Sequence, residues 1–201
     1  MDLATIRTTL RTCKSVENLG RLSLYKIHEA YVLLDYAHNP DALKAVGQFL
    51  KKWELGDALC VVGLPGDRSD ELLKESARVL RDSFQNFILR DDENLRGRSP
   101  LEVPRLMETV IRETSKTAKI QLQPDCRAAM ELAISQLQPG RFVVLFYDDL
   151  ETTLASLRHY DPIPVEDWPF PPRTPEPLSS KAKICEPGQT PSRPSPPEVI
   201  R

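Results

Sequence analysis

A short apolar run, a polar turn and an amphipathic stretch follow one another and constrain the fold of this chain most. Tyr31 to Leu34 is apolar and β-prone, long enough for one buried strand. The run ends at Asp35, and His38 follows three residues later. Asn39 offers an N-cap side chain, and Pro40 suits the first helical position, where a missing N–H costs nothing. The stretch therefore predicts a strand, a loop carrying a carboxylate and an imidazole, and the start of a helix.

Strand and helix patterns alternate along most of the chain. Strands are predicted at Arg21–Ile27, Tyr31–Leu34, Ala58–Gly63, Asn86–Arg90, Lys119–Gln123 and Phe142–Phe146. Helices are predicted at Met1–Cys13, Ala42–Trp53, Glu71–Asp82, Pro100–Thr114, Arg127–Leu137 and Leu150–His159, the fourth opened by a capping box of Ser99 and Glu102. This alternation predicts an α/β, Rossmann-like, three-layer fold with a mostly parallel sheet and helices on both faces. The Arg21 strand should form an antiparallel edge hairpin through His28 and Glu29.

The chain divides by composition into three parts. Residues 1–17 predict a helix and a linker, and residues 18–160 predict the α/β domain. Residues 161–201 hold 12 of the 18 prolines, between Ser, Glu, Lys and Arg. Such a segment buries too little apolar surface to offset its ordering entropy, so we expect a disordered Pro-rich tail.

Charge, cysteine spacing and hydropathy exclude several classes of function. The net charge is −2 and the basic residues are scattered, which argues against a nucleic-acid partner. The cysteines are far apart and form no paired metal motif; they are Cys13, Cys60, Cys126 and Cys185. No run of 18 apolar residues and no signal peptide is present, so we expect no membrane partner and a cytoplasmic protein with reduced thiols.

Polar residues follow four of the predicted parallel strands at the point where each strand ends. They are Asp35 with His38, Asp67 with Arg68, Asp91 with Asp92, and Asp148 with Asp149. Because the carboxyl ends of parallel strands meet at one edge, these groups should share a site with Arg96 and Arg98. The alternative is that Asp, Asn and Ser merely cap helices and fill turns. Capping explains the presence of Asn39, Ser99 and Asp125. It does not explain why His38 and three arginines lie at the same edge.

The chemistry that these residues could support is binding. The sequence contains no Walker-type phosphate loop and no serine in a nucleophile elbow, and the turn from Gly63 to Gly66 lacks the third glycine of a dinucleotide fingerprint. Arginine guanidinium groups can pair with phosphate or carboxylate oxygens, and carboxylates accept ribose hydroxyls or an ammonium group. The residues therefore suggest half of a site for a nucleotide or an amino acid.

Several motifs, in the same order, resemble the C-terminal (third) domain of the Mur ligase family. They are Gly20-Arg-Leu-Ser-Leu24, Asp35-Tyr-Ala-His-Asn-Pro-Asp41, Gly63-Leu-Pro-Gly-Asp-Arg68, Asp91-Asp-Glu-Asn-Leu-Arg-Gly-Arg98 and Phe146-Tyr-Asp-Asp149. The family makes amide bonds with ATP and includes cell-wall amino-acid ligases, folylpolyglutamate synthase and cyanophycin synthetase. The Asp91–Arg98 motif is most similar to cyanophycin synthetase. The resemblance implies a domain that closes over ATP and binds the incoming amino acid.

The resemblance also implies roles for individual residues. Arg21 would contact the ATP phosphates, and Asp35 would hold the ribose. The substrate-binding positions would be His38, Asn39, Asp67, Arg68, Asp91, Asp92, Arg96 and Arg98. The family's phosphate loop, central lysine and magnesium-binding acids have no counterpart in this sequence, so ATP and magnesium would require a separate central ATPase domain or subunit. We assign no catalytic residue and no metal ligand, and a non-catalytic, stand-alone binding or regulatory module that keeps the fold remains the alternative.

Overall fold

The computed structural model describes residues 20–53, 55, 57–166 and 168–169. Seven strands are present there: β1 (Ser23–Ile27), β2 (Ala30–Asp35), β3 (Leu59–Val62), β4 (Asn86–Leu89), β5 (Lys119–Leu122), β6 (Phe142–Phe146) and β7 (Ile163–Pro164). Five α-helices lie between them: α1 (Pro40–Lys52), α2 (Asp70–Arg81), α3 (Glu102–Thr114), α4 (Cys126–Ser135) and α5 (Leu150–Leu157), with a 3₁₀ turn at Arg158–Tyr160. The predicted helix Met1–Cys13 and linker lie outside the described residues.

The strands form one sheet in the order β5-β4-β3-β6-β2-β1-β7. β2, β3, β4, β5 and β6 run parallel, and β1 pairs antiparallel with β2 through the turn at His28 and Glu29. β6 lies between β2 and β3 and pairs with both of them. The predicted mostly parallel α/β sheet with an antiparallel hairpin is therefore confirmed. The two-residue strand β7 extends this antiparallel edge by pairing with the outer side of β1.

Helices cover both faces of the sheet, as the alternating pattern predicted. α1, α2 and α3 pack on one face through residues such as Leu43, Leu73 and Met107. α4 and α5 pack on the other face through residues such as Met130 and Leu157. β6 is buried along its whole length, which is expected for a parallel strand covered on two sides.

The predicted capping box at Ser99 is wrong. α3 begins at Glu102, its N-cap is Leu101 in a left-handed conformation (φ 63°), and no side chain caps it. The Leu101 N–H donates instead to both carboxylate oxygens of Asp91, at 3.1 and 2.9 Å. Half of the predicted reciprocal pair does form, since the Ser99 N–H donates to Glu102 Oε2 at 2.9 Å. A tertiary contact with Asp91 thus replaces the local serine cap.

The fold extends into the segment for which disorder is expected. β7 pairs with Tyr25 and Lys26, and the Val165 N–H donates to the Leu24 carbonyl at 2.9 Å. Trp168 then packs on Phe49, with ring centroids 4.7 Å apart. The first residues after Asp161 therefore belong to the domain, and the predicted tail beyond them lies outside the described residues. None of the helices within the described ranges is both long and apolar enough to cross a membrane.

Candidate functional site

The residues that follow β2, β3, β4 and β6 meet at the carboxyl-end edge of the sheet, here called the rim. A cavity of about 100 Å³ opens there. It is lined by Tyr36, His38, Pro65, Arg68, Asp92, Arg96, Tyr147 and Asp148. The rim thus brings together four of the predicted site residues: His38, Arg68, Asp92 and Arg96.

Asp35, the predicted ribose ligand, lies beneath the rim and is 5% exposed. Its Oδ2 accepts the N–H of Leu22 at 2.9 Å, and its Oδ1 accepts the N–H of Ala37 at 2.9 Å. Burial raises the pKa of the Asp35 carboxyl, while these two hydrogen bonds and Arg21 oppose the rise. In the structure, Asp35 therefore joins β2 to the chain segment that precedes β1.

An aromatic and cationic group forms the β2 side of the rim. The exposed guanidinium of Arg21 lies over the ring of Tyr36, with Cζ 5.1 Å from the centroid, which is a cation–π distance. Tyr36 also contacts the His38 ring edge-on, with centroids 4.8 Å apart. His38 Nδ1 lies 2.9 Å from the Tyr36 carbonyl. Because a carbonyl oxygen only accepts, Nδ1 is the donor, and neutral His38 keeps Nε2 as an acceptor.

A buried arginine that the sequence did not single out connects β4 to β6 below the cavity. Arg90 is 1% exposed; its Nη1 donates to Asp148 Oδ2 at 2.7 Å and to the Asp91 carbonyl at 2.8 Å, and its Nη2 donates to the Phe146 carbonyl at 2.9 Å. Burial works against the charged guanidinium, but the charge and hydrogen bond of Asp148, together with Cys126 and Asp92, raise the pKa of Arg90. Asp148, a lining residue of the cavity, is thereby held in place.

Acids and arginines alternate on the β3–β4 side of the rim. Arg96 Nη1 donates to Asp67 Oδ2 at 3.0 Å, and its Nη2 lies 3.9 Å from Asp92 Oδ2. The hydrogen bond from Arg96 lowers the pKa of Asp67. Asp92 differs: burial and the nearby Asp148 carboxylate raise its pKa, against the hydrogen bond from the Asn94 N–H. The pKa values of these two carboxyl groups therefore shift in opposite directions.

Three predicted substrate-binding residues instead have structural partners. Asn39 caps α1, accepting the Ala42 N–H at 2.9 Å. Asp91 is occupied by the Leu101 N–H. Arg98 donates to the carbonyls of Gly66 and Arg68 and pairs with Asp70 and Glu102, which ties the loop after β4 to the turn after β3. None of the three lines the rim cavity.

Tyr36, Tyr147 and Asp148 also line the cavity, although only Asp148 lay in a polar cluster recognised from the sequence. Tyr36 sits between Asp35 and His38, and Tyr147 directly follows β6, so their positions after parallel strands were the available signal. Arg90 directly follows β4 and carried the same signal. A rule that includes every polar or aromatic residue one or two places after a parallel strand would have found all of these residues.

Comparison with known proteins agrees with the motif resemblance. A family model described as "Mur ligase, glutamate ligase domain" matches residues 20–146. Cyanophycin synthetase of Crocosphaera subtropica is 32% identical over 165 residues, which cover 81% of this chain and 19% of the relative. A UDP-N-acetylmuramoyl-L-alanyl-D-glutamate–2,6-diaminopimelate ligase of Caldanaerobacter subterraneus is 29% identical over 115 residues, covering 57% of this chain and 23% of the relative.

Solved structures show the same fold. A UDP-N-acetylmuramoyl-L-alanyl-D-glutamate–2,6-diaminopimelate ligase has a TM-score of 0.56 at 23% identity, over 72% of this chain and 33% of the other. A folylpolyglutamate synthase of Mycobacterium tuberculosis complexed with ADP and AMPPCP has a TM-score of 0.53 at 18% identity, over 82% of this chain and 36% of the other. The chain thus spans only a minor part of the relatives that it matches. Since the family model covers more than half of the chain, the protein belongs to the Mur ligase family of ATP-dependent amide-bond ligases, as a C-terminal domain related to that of cyanophycin synthetase.

Proposed function

We propose that this chain closes over ATP held by a central ATPase domain and binds the incoming amino acid at the rim. The observation that carries this proposal is the rim cavity, where cationic, acidic and aromatic side chains from four strand ends meet. Ligands of open α/β sheets bind at this edge. Family membership supports ATP-dependent amide-bond formation as the reaction of the complete enzyme.

Arg21 is the proposed contact to the ATP phosphates. Its guanidinium is exposed, and no carboxylate of the described residues forms a salt bridge with it. A guanidinium placed on phosphates stabilises the charge that develops as the phosphoryl group is transferred. Asp35 remains the proposed ribose contact, since each of its oxygens accepts one backbone N–H and keeps a second lone pair.

The acidic and basic groups on the other side of the cavity are the proposed amino-acid site. Arg68 and Arg96 suit the carboxylate of the incoming amino acid, and Asp92 and Asp148 suit its cationic groups. If that amino acid is arginine, Asp92 is a natural guanidinium partner, together with Asp91 if the Leu101 contact opens. The proposed role of His38 is to accept a hydrogen bond from the incoming amine at Nε2, since Nδ1 is engaged by the Tyr36 carbonyl.

ATP fits this rim as half of a site, while magnesium has no set of ligands in it. The described residues contain no group of three or more His, Cys, Asp or Glu side chains that could hold a metal ion. Bound magnesium would neutralise the phosphates, and we assign it to no residue of this chain. The contribution of this chain is to bind and orient ATP and the amine and to exclude water on closure.

The test is ATP turnover by this chain mixed with a separately produced central ATPase domain of a cyanophycin synthetase, with single amino acids added in turn. We expect turnover that depends on both proteins and on one amino acid, and little by the chain alone. Arg21→Ala should lower the maximal rate on the order of a hundredfold, the size typical of a lost oxyanion contact. Arg105→Ala, which alters an exposed arginine of α3, is the matched control.

Two outcomes would contradict parts of this proposal. Turnover by the purified chain alone would show that it needs no central domain. ATP or amino-acid binding without turnover in any mixture would favour a stand-alone binding or regulatory module.

A further inference from the structure

We infer that Tyr147 and Asp35 are positioning residues that hold residues 20–22, here called the entry segment, in one strained conformation and thereby direct Arg21 toward the rim. Only one part of this inference rests on the proposed function, namely the identity of the group that Arg21 contacts. The conformation of the entry segment does not depend on that function.

Two of the three residues of the entry segment have left-handed backbones. Gly20 has φ 85° and Leu22 has φ 48°. Glycine adopts this region freely, but a leucine there is strained. A Cβ on Gly20 would overlap the hydroxyl of Tyr147, so the glycine is also required by a close approach. A conformation of this kind persists only when surrounding contacts enforce it.

Those contacts come from three side chains. The Tyr147 hydroxyl donates to the Gly20 carbonyl at 2.9 Å. The Gly20 N–H donates to Ser23 Oγ at 2.8 Å, and the Leu22 N–H donates to Asp35 Oδ2 at 2.9 Å. The two bonds of Gly20 are buried, and the bond between Leu22 and Asp35 is partly buried, so water competes little for the Gly20 bonds. The backbone is therefore held on both sides of Arg21.

Arg21 itself is left with an exposed side chain between two held neighbours. Its guanidinium lies over Tyr36, and the Tyr36 ring in turn packs on Tyr147, with centroids 5.6 Å apart. The same tyrosine that holds the Gly20 backbone thus supports the ring on which the guanidinium rests. Side-chain direction and backbone direction are set together, which reduces the entropy lost when Arg21 engages an anion.

The alternative is that these bonds stabilise the domain without affecting Arg21. Tyr147→Phe separates the two possibilities, because it removes the hydroxyl and keeps the ring that packs on Tyr36. Tyr160→Phe is the matched control. Tyr160 is half-buried at the end of the sheet opposite the rim, and its hydroxyl has no hydrogen bond among the described residues.

The first measurement is amide hydrogen exchange at Leu22 in the full chain, with thermal unfolding recorded beside it. We expect Tyr147→Phe and Asp35→Asn to speed exchange at Leu22 about five- to tenfold, the effect of one buried hydrogen bond on local opening. Exchange in the cores of β3 and β6 should stay unchanged. Equal exchange at Leu22 in Tyr147→Phe, Tyr160→Phe and unaltered protein would overturn the inference.

The second measurement uses the mixture with the central ATPase domain. Tyr147→Phe should lower kcat when Arg21 is present. It should have no further effect in an Arg21→Ala background, because it acts through Arg21. Additive losses would overturn the positioning role. Absence of turnover in every mixture would count against the proposed function, and the exchange measurement would still decide whether the segment is held.

Discussion

Arg90 offers the sharpest test of how the rim is supported. Arg90→Met keeps the length of the side chain and removes its charge and all its donors. Asp148 Oδ2 and the carbonyls of Asp91 and Phe146 then lose partners at 2.7, 2.8 and 2.9 Å. Removing one member of a buried ion pair typically costs about 3–5 kcal/mol, because the partner groups stay desolvated.

We expect the free energy of unfolding to fall by about that amount, with a decrease in Tm on the order of 10 °C for a domain of this size. Urea unfolding followed by circular dichroism measures the loss directly. Asp148→Asn should cost less, because Asp148 is 22% exposed and the two carbonyls keep their bonds to Arg90. Arg105→Met, on the exposed surface of α3, should stay within about 0.5 kcal/mol. A loss of stability below about 1 kcal/mol for Arg90→Met would refute the supporting role of Arg90. A larger loss for Asp148→Asn than for Arg90→Met would refute it as well.

Three further predictions concern buried groups. Gly63→Ala should cost roughly 1–3 kcal/mol in urea unfolding, because a Cβ there would lie 2.8 Å from Arg90 Nη1; an unchanged midpoint would contradict the close approach. The raised pKa of Asp35 means that the folded protein holds this proton to higher pH than the unfolded chain does. The stability advantage of the unaltered protein over Asp35→Asn should therefore shrink as pH rises through that pKa, and unfolding measured from pH 3 to 7 would refute this if the advantage grew. Burial raises the pKa of Cys60 well above its ordinary value, so in a variant with no other cysteine a thiol reagent should label Cys60 only on unfolding; rapid labelling of folded protein would show access that the structure does not.

Local patterns predicted most elements, because period and capping carried the information. The strand at Phe142–Phe146 has the predicted bounds, and the predicted caps Asn39 of α1 and Asp125 of α4 form as ordinary side-chain to N–H bonds. The start of α3 could not be predicted in this way. Its first free N–H is taken by a carboxylate ten residues earlier in the chain, a contact that exists only once β4 is in place.

The site was predictable to the extent that strand ends define it. His38, Arg68, Asp92 and Arg96 meet at one cavity as their positions suggested. Residue type alone could not show which polar groups were already occupied: Arg98 has the same chemistry as Arg96, but its donors are satisfied by Gly66 and Arg68 carbonyls. The role of Arg90 was hidden for the converse reason, since a charged residue after a strand is ordinarily solvated, and its burial depends on the neighbouring β6 carbonyl.

The position of β6 has a consequence for the order in which the domain can assemble. β2 and β3 do not pair with each other; each pairs with β6, whose residues come more than 100 positions after those of β2. A nascent chain that ends before Phe142 can form the β1–β2 hairpin and the β3–β4–β5 ladder, but it cannot join them into one sheet. Completion of the sheet therefore waits for the last long strand to be synthesised, a high-contact-order step that should make folding slow. Until then the facing edges of β2 and β3 expose unpaired backbone groups, which can pair with strands of other polypeptides.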